Sequence, residues 1–180
     1  GGAGDDSLTG GDGNDTFNID SGTDGLSDLG GELGGEDDIL IVSKDATVNA
    51  TNIVSFTAAD TTKNEGTANL SAKSTGGTII MTNSLSGAYT ITGSSSTDNL
   101  VGGAGDDIFI ISSTGDGDTD TLDGGLGDDT LKLAAGANVF SNNAKLIRIE
   151  TILAETGGSS VDLSAPVSYT HLTLPTRRGV

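Results

Sequence analysis

Residues 102–110 read Gly-Gly-Ala-Gly-Asp-Asp-Ile-Phe-Ile, and residues 124–132 read Gly-Gly-Leu-Gly-Asp-Asp-Thr-Leu-Lys. Both spell one pattern, Gly-Gly-x-Gly-x-Asp-x-apolar-x. The chain opens with two more in-frame copies, GGAGDDSLT at 1–9 and GGDGNDTFN at 10–18. Weaker copies stand at 93–101 (GSSSTDNLV) and, after four inserted residues, at 115–123 (GDGDTDTLD), and a blurred one at 33–41 (LGGEDDILI). A single Gly/Asp cluster is an ordinary solvated turn. Loops under no constraint do not keep a nine-residue spacing, so the repetition is the dominant signal. A longer period is superimposed: Phe17 and Phe109 lie 92 residues apart in the same slot, and the Asp37-Asp38-Ile39-Leu40 run is echoed 91 residues on by Asp128-Asp129-Thr130-Leu131.

Each unit combines a tight turn, a carboxylate and a short strand. Glycine permits φ > 0 conformations that turn backbone carbonyls inward, and the Asp closes the loop. The x-apolar-x triplet that follows is long enough only for a three-residue strand with one inward side chain. Leu8, Phe17, Leu100, Phe109, Leu122 and Leu131 fill that slot. Six to eight oxygens, from carboxylates and carbonyls together, are what the hard cation Ca²⁺ requires, and this peptide supplies both kinds.

Composition narrows the function classes. Against 26 acids stand 8 bases, giving a net charge of −18, with no cysteine, no tryptophan and 3% aromatic residues. Large-ring burial, disulfides and thiolate metal sites are therefore not the source of stability. Such a surface lacks the basic patch that nucleic acid or an anionic membrane would need. No run approaches the roughly 20 apolar residues of a membrane helix, so no membrane insertion is expected. Segments 1–41 and 93–132 hold 20 of the acids and a single base, Lys132. Residues 42–92 are balanced, with Asp45, Asp60 and Glu65 against Lys44, Lys63 and Lys73. Their alternating β-branched runs, Thr78 to Thr82 and Tyr89 to Thr92, broken at Gly76-Gly77 and Gly87, predict half-buried strands. A short helix is expected only near Asn142 to Leu146.

At this point the sequence resembles the repeats-in-toxin (hemolysin-type calcium-binding) family, whose nonapeptide has this Gly and Asp spacing. The likeness is near complete over 1–18 and 93–132 and loose over 33–41. It implies an all-β fold: parallel β-roll (β-solenoid) segments, two nonapeptides per coil, interleaved with β-rich connecting segments. It implies an ion between loops stacked on one side, repeat n with repeat n+2, which pairs 93–101 with 115–123 and 102–110 with 124–132. The implied ligands are Asp6, Asp15, Asp38, Asp98, Asp107, Asp120 and Asp129, with carbonyls from Gly2, Gly4, Gly11, Gly13, Gly103, Gly105, Gly125 and Gly127. Asp5, Asp106 and Asp128, one position earlier, are expected to face solvent and add only to the local field. The loop Gly93-Ser94-Ser95-Ser96 departs from the pattern, and the insertion Ile111 to Thr114 is expected to interrupt the stack.

The organisation expected is repeats at 1–41, a β-rich connecting segment at 42–92, repeats at 93–132, the start of a further β-rich segment at 133–166, and a non-native tail at 167–180. Val167 to Thr176 (VSYTHLTLPT) resembles the translated read-through of a sequencing adapter, which sets aside the only histidine, His171. The opening Gly-Gly-Ala-Gly suggests a piece of a longer protein.

Enzyme motifs do not survive inspection. Asp20-Ser21-Gly22 is half of an aspartic-protease signature without its second half, and the run from Asp116 to Asp120 lacks the Gly and Glu that an EF-hand needs at its sixth and twelfth positions. The expected function is Ca²⁺ binding that folds and stabilises a secreted or cell-surface protein. A modular adhesive or structural array is favoured by the 92-residue period, against the accessory region of an exported protease or lipase whose catalytic domain lies outside this chain. Family resemblance adds type I secretion machinery as a partner, through a C-terminus beyond this chain.

Overall fold

A three-residue strand with one inward side chain has no stability by itself. The chain resolves this by coiling, so that each short strand lies parallel to the strand one coil away. The computed structural model describes residues 1–31, 37–111, 120–134, 137–139, 145–154 and 160–162, and shows a parallel β-solenoid of about six turns. The largest sheet has eight strands: β1 (Ser7–Thr9), β3 (Thr23–Ser27), β5 (Thr47–Ile53), β8 (Thr67–Ala72), β10 (Tyr89–Thr92), β12 (Ile108–Ile111), β14 (Thr130–Leu133) and β17 (Thr151–Ala154), hydrogen-bonded in that order. The strands between them build the rest of each coil. β2 (Thr16–Ile19), β4 (Ile39–Val42) and β7 (Lys63–Asn64) form a three-stranded sheet. β6 (Ser55–Thr57), β9 (Thr78–Ile80), β11 (Asn99–Val101), β13 (Thr121–Asp123) and β16 (Lys145–Ile147) form a five-stranded one, and β15 (Ala137–Val139) pairs with β18 (Ser160–Asp162).

Register is set by the inward slot, because a one-residue slip would turn every apolar side chain outward. Leu8, Leu26, Ala50, Leu70, Ile91, Phe109, Leu131 and Ile152 stand in line across the eight-stranded sheet. Phe56, Ile79, Leu100, Leu122 and Leu146 do so across the five-stranded one. All are buried except Leu8, which is half-buried. Residues 42–92 thus continue the same coils as the repeats, with β5, β8 and β10 at the centre of the large sheet.

Three expectations change in detail. Lys145–Ile147 is a strand paired with β13, not part of a helix, because Leu146 fills the inward slot beside Leu122; residues 142–144 lie outside the described residues. The insertion at 111–114 does not interrupt the pairing on either side of it: Asn99 pairs with Thr121 and Ile108 with Thr130, Ile111 itself ends β12 opposite Leu133, and residues 112–114 lie outside the described residues. The 92-residue echo preserves pairing but not sheet. Phe17 faces Leu40 in the three-stranded sheet, whereas Phe109 faces Leu131 in the eight-stranded one.

Candidate metal centre

The residue just before each strand of a nonapeptide is its Asp, so the registers that align the core also align the carboxylates. Along the eight-stranded sheet this column runs Asp6, Asp24, Val48, Ala68, Tyr89, Asp107, Asp129, Glu150. On the other side Asp98 stacks with Asp120, and Asp15 with Asp38. Asp24, Asp38, Asp98, Asp107, Asp120 and Asp129 are buried, Asp15 is half-buried and Asp6 is exposed.

One hydrogen-bond scheme recurs. The backbone N–H of Asp107 donates to Asp129 Oδ1 at 2.7 Å, that of Asp98 to Asp120 Oδ1 at 2.8 Å, that of Asp15 to Asp38 Oδ1 at 2.8 Å and that of Asp6 to Asp24 Oδ1 at 2.9 Å. The second oxygen turns back to its own loop: Gly103 N–H donates to Asp107 Oδ2 at 2.7 Å, Ser94 N–H to Asp98 Oδ2 at 2.6 Å and Gly2 N–H to Asp6 Oδ2 at 2.9 Å. In Asp98 and Asp107 both contacts are made, the other oxygen accepting from Gly77 N–H and Tyr89 N–H, so each of these two carboxylates ties its own turn to the coil before it. The first glycine of the unit leaves space for this. A Cβ on Gly124 would collide with Asp129 Oδ2 and the carbonyl of Arg148, and one on Gly102 with Asp107 Oδ2 and the carbonyl of Gly124. Left-handed backbone is needed at Gly4, Gly11, Gly13, Gly125 and Gly127, whose φ lies between 97° and 135°. Gly2, Gly103 and Gly105 do not adopt it; a Cβ at Gly105 would strike the stacked carbonyl of Gly87.

The carboxylates are short of positive charge. Asp15, Asp24 and Asp129 each keep a buried Oδ2 with no hydrogen-bond partner, although that of Asp24 lies 3.6 Å from the Gly1 ammonium. Burial pushes the Asp129 carboxyl up to about 7; the Asp107 N–H opposes this, and the charges of Asp107, Glu150 and Asp106 add to it. Burial likewise pushes Asp107 up to about 6, against the N–H groups of Gly103 and Tyr89. A carboxyl raised this far is one whose ionised form lacks solvation and a counter-charge.

The model of the RTX calcium-binding nonapeptide repeat, in four copies, matches residues 1–26, 90–110 and 114–144. Over those residues, less than half of the chain, the sequence is similar to RTX repeats. No curated protein and no solved structure matches the chain. RTX nonapeptides bind Ca²⁺ and are a binding module, not a catalytic one. The donor set fits that ion: oxygen only, stacked in pairs, with buried carboxylate oxygens lacking a partner. Among the described residues no three acidic or histidine side chains converge. Most of the six to eight oxygens that Ca²⁺ takes would therefore come from backbone carbonyls.

Two members of the acidic column escape a reading of the strong RTX motif. Asp24 belongs to residues 19–27 (IDSGTDGLS), a third in-frame unit that keeps only the Gly, Asp and apolar positions at Gly22, Asp24 and Leu26. The nine-residue frame continued past 18 was the signal. Glu150 has no glycine loop before it, yet its Oε2 accepts the Asp129 N–H at 2.7 Å, standing in the slot of an RTX aspartate. Asp5, Asp106 and Asp128 are exposed as expected, but two of them do more than add charge. Asp5 Oδ1 accepts the N–H of Thr23 at 2.9 Å and Asp106 Oδ1 that of Asp128 at 3.0 Å, so each ties its loop to the coil after it.

Proposed function

We propose that the chain is a calcium-driven folding module of a secreted or cell-surface protein, built as a modular adhesive or structural array. The observation that carries this reading is the stacked, buried, incompletely partnered acidic column. It favours folding only where a cation neutralises it.

In this reading the sites lie between coils, at Asp98 with Asp120, Asp107 with Asp129, Asp15 with Asp38 and Asp6 with Asp24. Carbonyls come from the loop glycines Gly2, Gly4, Gly11, Gly13, Gly103, Gly105, Gly125 and Gly127. Bound Ca²⁺ supplies the counter-charge that the loops lack. The chain's own groups do the rest: N–H groups of the preceding coil hold the carboxylates in place, joined at Asp98 and Asp107 by a loop N–H, and the first glycine keeps the space beside them open. With dissociation constants near 10⁻⁴ to 10⁻³ M, typical of extracellular modules, the repeats stay open in a calcium-poor cytosol. They fold outside the cell, which suits export in one step through a type I system. The absence of cysteine and the 92-residue echo agree with an exported, modular chain.

The test is far-UV circular dichroism of the chain during a Ca²⁺ titration, with Mg²⁺ as control. A cooperative gain of β signal at sub-millimolar to millimolar Ca²⁺, absent with Mg²⁺ and lost in the Asp107→Ala, Asp129→Ala double variant, supports the proposal. A spectrum indifferent to Ca²⁺ removes it.

A further inference from the structure

The acidic column has a gap. Across β5, β8 and β10 the slot that holds aspartate elsewhere is filled by Val48, Ala68 and Tyr89, all buried. The side-chain hydrogen bonds of that stretch are made by neutral groups. Asn64 Oδ1 accepts the N–H of Gly66 at 3.0 Å while its Nδ2 donates to the carbonyl of Ala88, one coil on, at 2.7 Å. Tyr89 Oη lies 2.6 Å from Ser84 Oγ, a contact between two hydroxyls. Asn69 Nδ2 donates to Asn49 Oδ1 at 2.8 Å across adjacent strands.

The same stretch is the best packed part of the molecule. It supplies Tyr89, Phe56, Ile53, Leu70, Ile79, Met81 and Ile91, seven of the eleven largest fully buried side chains. β5 and β8, at 7 and 6 residues, are its longest strands. Independent stability of a sheet needs at least three strands with an apolar face, which β5, β8 and β10 provide, and residues 42–92 carry no net charge to oppose it.

We infer that residues 47–92 form a block that folds without calcium and acts as the template on which the acidic coils assemble. The inference rests on the calcium-folding reading above and divides it in two. In a solenoid each coil is stabilised by itself and its neighbours, so folding starts where coils are intrinsically stable and propagates. Both starting points for propagation toward the C-terminus are backbone donors of the block: Gly77 N–H donates to Asp98 Oδ1 at 2.7 Å and Tyr89 N–H to Asp107 Oδ1 at 2.6 Å. Toward the N-terminus, β5 offers five paired positions to β3. The block sets the register of the repeats before any ion is bound, and calcium then extends a stack that already exists.

Amide hydrogen exchange of the full chain, in EGTA and in saturating Ca²⁺, tests this. In EGTA the amides of Thr47–Ile53, Thr67–Ala72 and Tyr89–Thr92 should exchange roughly tenfold or more slowly than those of Ile108–Ile111 and Thr130–Leu133; Ca²⁺ should slow the latter to match. Tyr89→Asp, which extends the acidic column into the block, should make protection of Tyr89–Thr92 depend on Ca²⁺, whereas Tyr89→Phe should not. In Asp107→Asn, Asp129→Asn the block should stay protected in EGTA. If block and repeats gain protection together at one calcium concentration, the template is overturned while calcium-driven folding stands. If calcium changes protection nowhere, the folding reading fails and the template with it.

Discussion

At Asp129 the demands of folding and of ion binding oppose each other. The carboxylate accepts the Asp107 N–H, is wholly buried, and keeps an oxygen without a partner. Asp129→Asn keeps the shape and the acceptor oxygen but removes the charge. It should stabilise the calcium-free coils and raise the calcium concentration at half-folding on the order of tenfold, read from the circular dichroism titration. Gly124→Ala tests the space beside that carboxylate. Its Cβ would meet Asp129 Oδ2 and the Arg148 carbonyl, so calcium-induced β signal should fall more sharply than in Leu126→Ala, at an exposed position of the same loop. The raised Asp107 and Asp129 carboxyls, at about 6 and about 7 against 3.8 in the unfolded chain, also give pH a definite sign. The folded state binds these protons more tightly. The metal-free fold should therefore gain stability as pH falls from about 7 toward 4 and lose it as pH rises again. Protons compete with calcium over the same range, so the calcium midpoint should move upward on acidification. Denaturant melts in EGTA at several pH values, paired with calcium titrations, read both trends.

At the scale of the strand, one inward side chain per repeat holds the element in place, and the carboxylate beside it follows. Phe109 is fully buried between Ile91 and Leu131. Phe109→Ala should cost about 3 to 5 kcal/mol in the calcium-loaded protein, measured as a loss in thermal or denaturant stability, and should also weaken the Asp107–Asp129 pair that its register aligns. Strands made from the strong repeats were legible because the apolar slot recurs at a fixed distance from the Gly loop. Asp24 was less legible because residues 19–27 keep only three positions of the motif, and the paired stack made the slot visible where the motif had faded. Glu150 was illegible: nothing local marks it, and only the pairing of β14 with β17 brings it to Asp129.

Over the whole molecule, charge is distributed in the same blocks as the proposed calcium dependence. Twenty acids lie in the two repeat segments, while residues 42–92 are neutral. Removing calcium should expand the repeats through self-repulsion and leave the neutral block compact, giving an intermediate radius of gyration by small-angle scattering in EGTA, not that of a fully unfolded chain. About 1 M KCl, where the screening length is about 3 Å, should reduce that expansion without restoring the β signal, since screening supplies no inner-sphere oxygen contacts.

The sequence by itself determined the nonapeptide, the hard-cation chemistry of its oxygens and the inward apolar slot, because these follow from a period and from residue type; the pairing of 93–101 with 115–123 and of 102–110 with 124–132 came from the family resemblance, and the strand registers agree with it. Tertiary structure decided what a period cannot carry. It ran the neutral segment through the same coils, kept the strands on either side of the insertion in register, and assigned Phe17 and Phe109 to different sheets. It also aligned Val48, Ala68 and Tyr89 with the aspartates. The reason is physical: registers between coils 18 to 24 residues apart are set by how apolar side chains stack in the core, and a local motif says nothing about the residue that stacking places beside it.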